Sequence, residues 1–567
     1  MANATTPLLA GDRRDPDANF DALSDSEEDV PRGRSRLREA LLFAWALLAT
    51  AAVLILAIWA SHQQQTSFDK PTGKRNLIFM VSDGMGPATL SLTRSFRQYT
   101  EGLEYGDTLT LDKHFWGSSR TRSSSSLVTD SAAGATAFSC GMKSYNGAIS
   151  MLPDSTPCGT VLEAAKKAGY KTGLVVTTDI TDATPACFAS HVNLRQQNDE
   201  IAVQEVGNGP LGRVVDLVFG GGRCHFLPNG TDGACRADNI DVVEMAKKDY
   251  GWNYINDRAA FDEFWKGKKE VPLPMLGLFA PTDIPFELDR RNMNDIYPSL
   301  SEMAKTALRA LEKATEDSDK GFFLMIEGSR IDHAGHENDP AAQVREVLEY
   351  DKTFKAVLDF LDDSKTPGVL VSTSDHETGG LSVARQVNVD YPQYLWYPAV
   401  LANASSSSEY LAYRLHGHLA QSTDHSIDKL KKYINEELVE PGLGIHDASD
   451  EELTTIALSP EQAQDLFAQM ISVRAQIGWS THGHSAVDVN IYSSGGPGAE
   501  AIRGNVENTD VGKYLRDYLN VDVDAITKEL NKKMDSKRNF GISHDIAIDG
   551  IGEDHWAAHE KMEAQRG

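Results

Sequence analysis

Residues 322–336 read FFLMIEGSRIDHAGH, an apolar run followed at once by a dense group of polar residues. The run from Phe322 to Ile326 is short and uninterrupted, which is typical of a buried strand. Glu327, Asp332 and His336 follow it, and carboxylates and imidazoles are the side chains that bind divalent cations such as zinc and magnesium. The stretch therefore predicts part of a metal site at the end of a buried strand.

Further apolar runs of this kind recur along the chain. Together with residues 322–326, the predicted strands are residues 76–82 (NLIFMVS), 172–178 (TGLVVTT), 214–219, 368–373 and 487–492. The amphipathic stretches between them are predicted helices, at residues 160–168, 301–314 and 341–361. Strands that alternate with helices predict an α/β fold, with a mostly parallel central sheet covered by helices on both faces.

Side chains that carry oxygen acceptors stand just beyond four of the runs: Asp83, Thr184, Glu327 and Asp375. In open α/β sheets, sites form at the carboxyl ends of the strands. We therefore expect these four positions to converge, although hundreds of residues separate them.

Two pairs of potential ligands have a spacing that suits a shared ion. Asp332 and His336 are four residues apart, so both lie on one face of a helical turn. Asp375 and His376 are adjacent, which allows both to bind one ion only in a turn, as expected after a strand. Both pairs are candidate metal ligands.

Two more motifs offer groups to the same site. Residues 129–137 read TDSAAGATA, and the small residues after Ser131 predict a helix whose free N-terminal amides attract negative charge. The Ser131 hydroxyl could bind or attack a phosphate, or it could cap the helix, and both roles remain open. His484 offers a further nitrogen, with His482 as a rival.

Charge and hydropathy indicate where the chain resides. A net charge of -27 argues against a nucleic-acid partner. Residues 40–60 carry no charge and are long enough to cross a bilayer, with a buried core helix as the alternative. Arginines precede this stretch, and no charged residue follows closely. The positive-inside rule then predicts a single-pass type II protein, with residues 1–38 as a disordered cytosolic tail, residues 39–60 as the anchor and residues 61–567 in a lumen.

The luminal part carries three further features. Cys224 and Cys235 bracket a loop rich in turn residues, which predicts a local disulfide, and the odd total of five cysteines leaves at least one unpaired within the chain. Asn229 and Asn403 begin glycosylation sequons. Residues 410–475 are polar and acidic, and we interpret them as an insertion that covers the site or makes a dimer contact.

Six blocks of sequence together resemble the alkaline phosphatase family. They are DGMG (83–86), TDSAAGATA (129–137), TDATPA (181–186), EGSRIDHAGH (327–336), STSDHETGG (372–380) and THGHSAVDV (481–489). The likeness covers roughly residues 74–519. The N-terminal layout is most similar to that of the membrane-anchored fungal vacuolar members.

The resemblance implies a phosphate monoester hydrolase of broad specificity. Ser131 would form a phosphoserine intermediate, and Arg195 would clamp the phosphate oxygens. The implied ligands are Asp332, His336 and His484 for one zinc, Asp83, Asp375 and His376 for a second zinc, and Asp83, Thr184 and Glu327 for one magnesium. A homodimer at the vacuole membrane is implied as well.

Two positions vary within the family. Some members carry Asp with Lys there and others His with His, whereas this chain combines Asp182 with His333. The mixture implies that Asp182 favours magnesium through water and that His333 contacts the substrate phosphate through water. A purely structural role for either residue remains open.

Two other classes of protein compete with this interpretation. Sulfatases need a C/S-x-P-x-R context, but Ser131 is followed by Ala-Ala-Gly. Related phosphodiesterases usually use threonine as the nucleophile and lack the clamp that Arg195 supplies. A non-catalytic membrane-anchored relative would have no need of the nucleophile and the complete ligand set. The sequence therefore predicts a phosphomonoesterase.

Overall fold

The computed structural model describes residues 33–66, 73–391, 393–424 and 426–539. The chain divides after residue 68 into two compact units. The described part of the first unit is the helix α1 (Gly33–Thr66), and its segment Arg36–Ala57 is long and apolar enough to cross a membrane. The predicted anchor lies within α1. Residues 1–32 of the predicted tail lie outside the described residues.

The second unit is built on a ten-stranded sheet and a separate two-stranded ribbon. Its strands are β1 (Asn76–Val81), β2 (Phe115–Arg120), β3 (Lys171–Asp179), β4 (Leu217–Gly221), β5 (Asn253–Ile255), β6 (Met275–Leu278), β7 (Phe322–Glu327), β8 (Gly368–Thr373), β9 (Glu377–Thr378), β10 (His484–Ser485), β11 (Val489–Ser493) and β12 (Gly504–Glu507). The order in the large sheet is β12-β2-β11-β8-β1-β7-β3-β4-β6-β5. All neighbours pair in parallel except β11, which is antiparallel to β2 and β8. The predicted mostly parallel α/β fold is confirmed.

The α-helices of the second unit lie between and after these strands. They are α2 (Pro87–Glu101), α3 (Thr110–Lys113), α4 (Ser131–Cys140), α5 (Val161–Lys167), α6 (Ala183–Ala189), α7 (Asn198–Val203), α8 (Val242–Tyr250), α9 (Arg258–Trp265), α10 (Glu287–Arg290), α11 (Leu300–Ala314), α12 (Arg330–His336), α13 (Pro340–Asp363), α14 (Pro398–Asn403), α15 (Ser408–Gln421), α16 (Ile427–Tyr433), α17 (Asp450–Leu458), α18 (Ala463–Ala475), α19 (Asn508–Leu519) and α20 (Val523–Asn539). The predicted helices correspond to α5, α11 and α13, with ends that agree to within a few residues.

Strand β1 shows why the apolar runs are continuous. Leu77, Phe79 and Val81 pack into the hydrophobic core on one face of the sheet. Ile78 and Met80 pack into the core on the other face. Because successive side chains of a strand point to opposite faces, a strand buried on both sides must be apolar throughout. Helices therefore cover both faces, and polar groups appear only where the strand ends.

The segment predicted as an insertion consists of helices that share a hydrophobic core with part of the main fold. Helices α14 to α18 span residues 398–475, so the helical segment begins earlier than the predicted boundary at residue 410. Leu411, Leu438 and Phe467 are fully buried in its core. The same core includes Leu92 of α2 and Val344 of α13, so the insertion packs on helices of the main fold.

The described cysteines form two disulfides. Cys224 is bonded to Cys235 in the turn-rich loop. A second bond joins Cys140 at the end of α4 to Cys158, a pair that the sequence analysis did not identify. Cys187 is a buried free thiol. The sequon residues Asn229 and Asn403 are exposed at the surface.

Candidate metal centre

Ser131 is the first residue of α4, and its Oγ lies 3.0 Å from Nε2 of His376. The preceding residue, Asp130, caps the helix by accepting a hydrogen bond from the amide of Ala133. Ser131 is therefore not the helix cap, and its hydroxyl is directed at the site. Gly134 allows this close approach, because a Cβ there would lie 2.8 Å from Cβ of Asp375.

His376 lies between two aspartates at the ends of neighbouring strands. Its Nε2 is 3.2 Å from Oδ2 of Asp375 and 3.4 Å from Oδ1 of Asp83. Asp83 follows β1, and Asp375 follows β8, which pairs with β1. The parallel sheet therefore brings Asp83 together with Asp375 and His376, almost 300 residues away in the sequence, as expected for the ends of paired parallel strands.

A second group of ligand types lies beside the first. Nε2 of His336 is 3.2 Å from Oδ2 of Asp332 and 3.1 Å from Nε2 of His484. Nε2 of His484 is 3.7 Å from Oδ1 of Asp332. Nδ1 of the rival His482 instead forms a hydrogen bond with the backbone oxygen of His336, at 2.7 Å. His484, and not His482, therefore joins this group.

Thr378, which the sequence analysis quoted but gave no role, connects the two groups. Its hydroxyl donates to Oδ1 of Asp332 and lies 3.1 Å from Nδ1 of His376. The rings of His376 and His484 also stack, with centroids 3.4 Å apart. The two groups therefore form one continuous cluster.

A third, all-oxygen group adjoins Asp83. Glu327 ends β7, which pairs with β1, and burial raises the pKa of its carboxyl to about 8, although the nearby hydroxyls of Ser329 and Thr184 oppose the shift. Burial is also the main cause that raises the pKa of Asp83 well above its usual value, with contributions from Asp375, Asp332 and Glu327. Thr184 is buried in the first turn of α6.

Hydrogen bonds from the described residues do not satisfy every carboxylate oxygen of the cluster. Buried oxygens of Asp83, Glu327 and Asp375 have no hydrogen-bond partner of normal geometry among the described residues. Buried charges in proteins are paired or bind metals. Two sets of side chains bring ligand atoms within 4.8 Å of one another, namely Asp332, His336 and His484, and Asp83, Asp332 and His376. The orphaned oxygens and the mixture of nitrogen and oxygen donors fit bound divalent cations.

Arg195 is paired with Asp182 and lies near Asp130, the residue that precedes Ser131. Its Nη2 donates to Oδ1 of Asp182 at 2.9 Å, and its Nη1 is 3.6 Å from Oδ2 of Asp130. Burial alone would raise the pKa of Asp182, but Arg195 and His333 outweigh it and hold that pKa below its usual value. The guanidinium is therefore a fixed positive group next to the nucleophile candidate.

Two residues without a predicted role hold His333. Its Nδ1 lies 3.3 Å from Oδ2 of Asp283 and 3.3 Å from Nε of Arg330. Asp283 is fixed in turn by the amide of Asp179, at the end of β3. Asp283 lies five residues after β6, a short strand that was not among the predicted ones.

The fold and the cluster define a class of protein: an α/β enzyme with a cation-binding centre beside a serine hydroxyl and an arginine. The family model described as alkaline phosphatase matches residues 74–521. The chain therefore belongs to the alkaline phosphatase family, which confirms the resemblance seen in its motifs.

Relatives with established names agree with this assignment. The chain is 56% identical over 476 residues to the repressible alkaline phosphatase of Saccharomyces cerevisiae, which covers 80% of this chain and 83% of that protein. It is 48% identical over 488 residues to the alkaline phosphatase of Schizosaccharomyces pombe, with 85% and 88% covered. These relatives support phosphate monoester hydrolysis as the activity.

Solved structures show the same fold. The cold-active alkaline phosphatase of Shewanella sp. superimposes with a TM-score of 0.63 at 29% identity, covering 77% of this chain and 98% of that chain. A mutant of the TAB5 alkaline phosphatase with Mg bound in its M3 site gives a TM-score of 0.54 at 26% identity, covering 79% and 98%.

Proposed function

We propose that this chain hydrolyses a broad range of phosphate monoesters through a covalent phosphoserine on Ser131. The observation that supports this most is the position of the Ser131 hydroxyl, 3.0 Å from Nε2 of His376 and at the first residue of α4. Free amide groups at a helix N-terminus favour a bound phosphate. The neighbouring carboxylates would repel that phosphate unless cations neutralise them.

The proposed cations are two zinc ions and one magnesium ion. Asp332, His336 and His484 would hold one zinc, Asp83, Asp375 and His376 the second, and Asp83, Thr184 and Glu327 the magnesium. Nitrogen and carboxylate donors suit zinc, and an all-oxygen set suits magnesium. When bound, such cations lower the pKa of coordinated hydroxyls and offset charge on phosphoryl oxygens. Magnesium in the M3 site of the TAB5 relative is consistent with the third assignment.

The proposed reaction consists of two displacements at phosphorus, and several side chains of this protein take part. The Ser131 oxygen attacks phosphorus, the ester bond between phosphorus and the alcohol oxygen breaks, and the alcohol leaves. Water then attacks the phosphoserine, which releases phosphate and restores the hydroxyl. Arg195 holds phosphate oxygens with its planar fork, and Asp182 keeps that fork in place. Asp182 would also reach magnesium through water, and His333 would reach the phosphate through water.

The proposal extends to the location of the enzyme. The apolar helix Arg36–Ala57 would anchor it as a single-pass type II protein, with the catalytic domain in the lumen. The vacuole membrane is the proposed compartment, in line with the fungal layout. Asn229 and Asn403 are exposed and would carry glycans, and the enzyme would act as a homodimer.

Two measurements on the full chain, purified in detergent, test this function. Turnover of an aryl phosphate monoester should greatly exceed turnover of the corresponding bis-ester. Elemental analysis should find zinc and magnesium near a ratio of two to one. A preparation that prefers the bis-ester, or that binds no zinc, would contradict the proposal.

A further inference from the structure

Arg330 is a buried link between α12 and the helical insertion. Its guanidinium forms a two-pronged pair with Glu409 in the first turn of α15: Nη1 is 3.2 Å from Oε1, and Nη2 donates to Oε2. Nη1 also donates to the backbone oxygen of Ile284 at 3.1 Å. The guanidinium lies 3.7 Å from the ring centroid of Phe286. The side chain of Arg330 is only 3% exposed, so these contacts define its orientation.

The Nε–H group of the Arg330 guanidinium contacts His333. Nε of Arg330 lies 3.3 Å from Nδ1 of His333. Arginine donates and never accepts hydrogen bonds, so Nδ1 of His333 is the acceptor in this contact. A neutral histidine that accepts at Nδ1 carries its proton on Nε2. The orientation of Arg330 therefore leaves His333 with an N–H donor on its other nitrogen.

Asp283 competes for the same nitrogen. Its Oδ2 lies 3.3 Å from Nδ1 of His333 and 4.0 Å from Nε of Arg330. If Arg330 turned away, the carboxylate would favour the tautomer with the proton on Nδ1. Nε2 would then lack a proton and could not donate to the water that links His333 to the phosphate. The position of Arg330 thus selects the tautomer of His333.

The proposed function places His333 on the face of the site that receives phosphate. His333 directly follows Asp332, a proposed zinc ligand, in α12. A change at Arg330 can therefore reach the groups that bind the substrate.

Other bonds dock α15 on the main fold without Glu409. The amide of Ser407 donates to Oδ1 of Asp289 at 3.0 Å, and the amide of Ser408 donates to Oδ2 of Asp339 at 2.8 Å. These carboxylates satisfy amide groups at the N-terminus of the helix. We therefore expect α15 to stay docked when the charge of Glu409 is removed. The effect of that charge on Arg330 can then be measured without displacing the helix.

We propose that Glu409, supplied by the insertion, is a positioning residue for phosphate binding. It holds Arg330 so that Nε–H donates to Nδ1 of His333, and His333 then presents Nε2–H to the water through which it reaches the phosphate. This inference rests on the proposed function, because it assigns His333 a phosphate contact. Two variants of one charge pair and one matched control can test it.

The test compares Glu409→Gln and Glu409→Ala with Glu452→Gln in the full chain. Glu452 forms an equivalent two-pronged pair with Arg474, at 2.8 Å and 3.0 Å, within the insertion and without contact to Arg330. The Glu409 variants should lower kcat/KM for an aryl phosphate about tenfold and weaken inhibition by inorganic phosphate by a similar factor. Their zinc and magnesium content should stay unchanged. Glu452→Gln should lower the Tm and leave kcat/KM intact.

A second comparison asks whether Glu409 acts through His333. In a His333→Ala background, Glu409→Gln should cost no further activity, because interacting residues are not additive. Unchanged kinetics of Glu409→Gln in an active wild-type background would overturn the inference, and so would full additivity with His333→Ala. A wild-type chain without monoester turnover would instead overturn the proposed function itself.

Discussion

The hydroxyl of Thr378 donates a hydrogen bond to Oδ1 of Asp332. A hydroxyl has one proton, so Thr378 must accept in its contact with Nδ1 of His376, 3.1 Å away. The proton of neutral His376 then lies on Nδ1, and Nε2 presents a lone pair toward Ser131 and the aspartates. One side chain thus orients a proposed ligand of each zinc.

Replacement of Thr378 by valine should weaken the cation centre while keeping nearly the same side-chain shape. Partners that orient metal ligands typically contribute about tenfold to a hundredfold to metal affinity or activity. We expect Thr378→Val to lose zinc at lower chelator concentrations and to lose activity in parallel. Zinc content and turnover measured across a chelator titration check this.

Thr378→Ser is the control, because it keeps the hydroxyl. It should retain most of the zinc affinity and activity. Equal losses in the serine and valine variants would show that the methyl group, and not the hydrogen bonds, is what the site requires.

Ser131→Ala should abolish the covalent phosphoenzyme and lower kcat by at least about a thousandfold. It should leave the metal content nearly intact, because Ser131 is not one of the proposed ligands. Labelling with phosphate, combined with elemental analysis, checks both outcomes. Ser139→Ala, a buried change on the same helix, is the matched control and should retain labelling. Labelling of Ser131→Ala at the wild-type level would refute the nucleophile assignment.

Arg195→Ala should weaken inhibition by inorganic phosphate and raise KM, each by about tenfold or more, because the lost charged hydrogen bonds are to phosphate. Zinc content should change little. Arg195→Lys keeps the charge but not the planar fork, so its kinetics should lie between those of wild type and Arg195→Ala. If Arg195→Ala instead loses zinc before it loses phosphate affinity, the residue supports the metal centre and not the substrate.

A buried acid remote from the proposed ligands predicts a pH effect on stability. Glu205 is buried, and neither of its carboxylate oxygens has a hydrogen-bond partner among the described residues. Burial raises its pKa well above the usual 4.5. The folded state therefore prefers the protonated acid, and stability falls as the pH rises above the unfolded pKa, until the folded pKa is passed.

Glu205→Gln should remove this penalty. Its Tm should exceed that of wild type by about 2 °C or more near pH 8, and the difference should shrink toward pH 4.5. Thermal unfolding at a series of pH values measures the difference. Glu451→Gln, an exposed acid in α17, should show no such trend. A gain in Tm that is constant with pH would point to packing and not to ionisation.

The strands that the sequence predicted are mainly buried on both faces of the sheet. Apolar segments mark β1, β3, β7 and β8, and the polar ends of β1, β7 and β8 identified Asp83, Glu327 and Asp375. β2 (FWGSSR) and the edge strand β12 (GNVE) are partly exposed and lack such a segment, so hydropathy gave no signal for them. The antiparallel direction of β11 depends on tertiary structure and cannot be predicted from the residues of the strand.

The residues of the site that could not be predicted from the sequence are those that contact and orient other site residues. Thr378, Asp283 and Glu409 are common residue types at ordinary positions, and only their distances to Asp332, His333 and Arg330 reveal a role. The bond between Cys140 and Cys158 was missed because the two cysteines are 18 residues apart, so no short loop singles out the pair. Ligand types at strand ends can be recognised in a sequence, whereas their supports require coordinates.

The spread of the cluster along the chain has a consequence for biosynthesis. Asp83 lies near the start of the second unit, and His484 lies close to its end. A nascent polypeptide cannot complete the proposed zinc site of Asp332 and His336 until the segment that carries His484 has emerged and paired with β9. Capture of the proposed ion would thus be a late event in synthesis, and premature stop codons upstream of residue 484 would yield chains that lack one of its ligands.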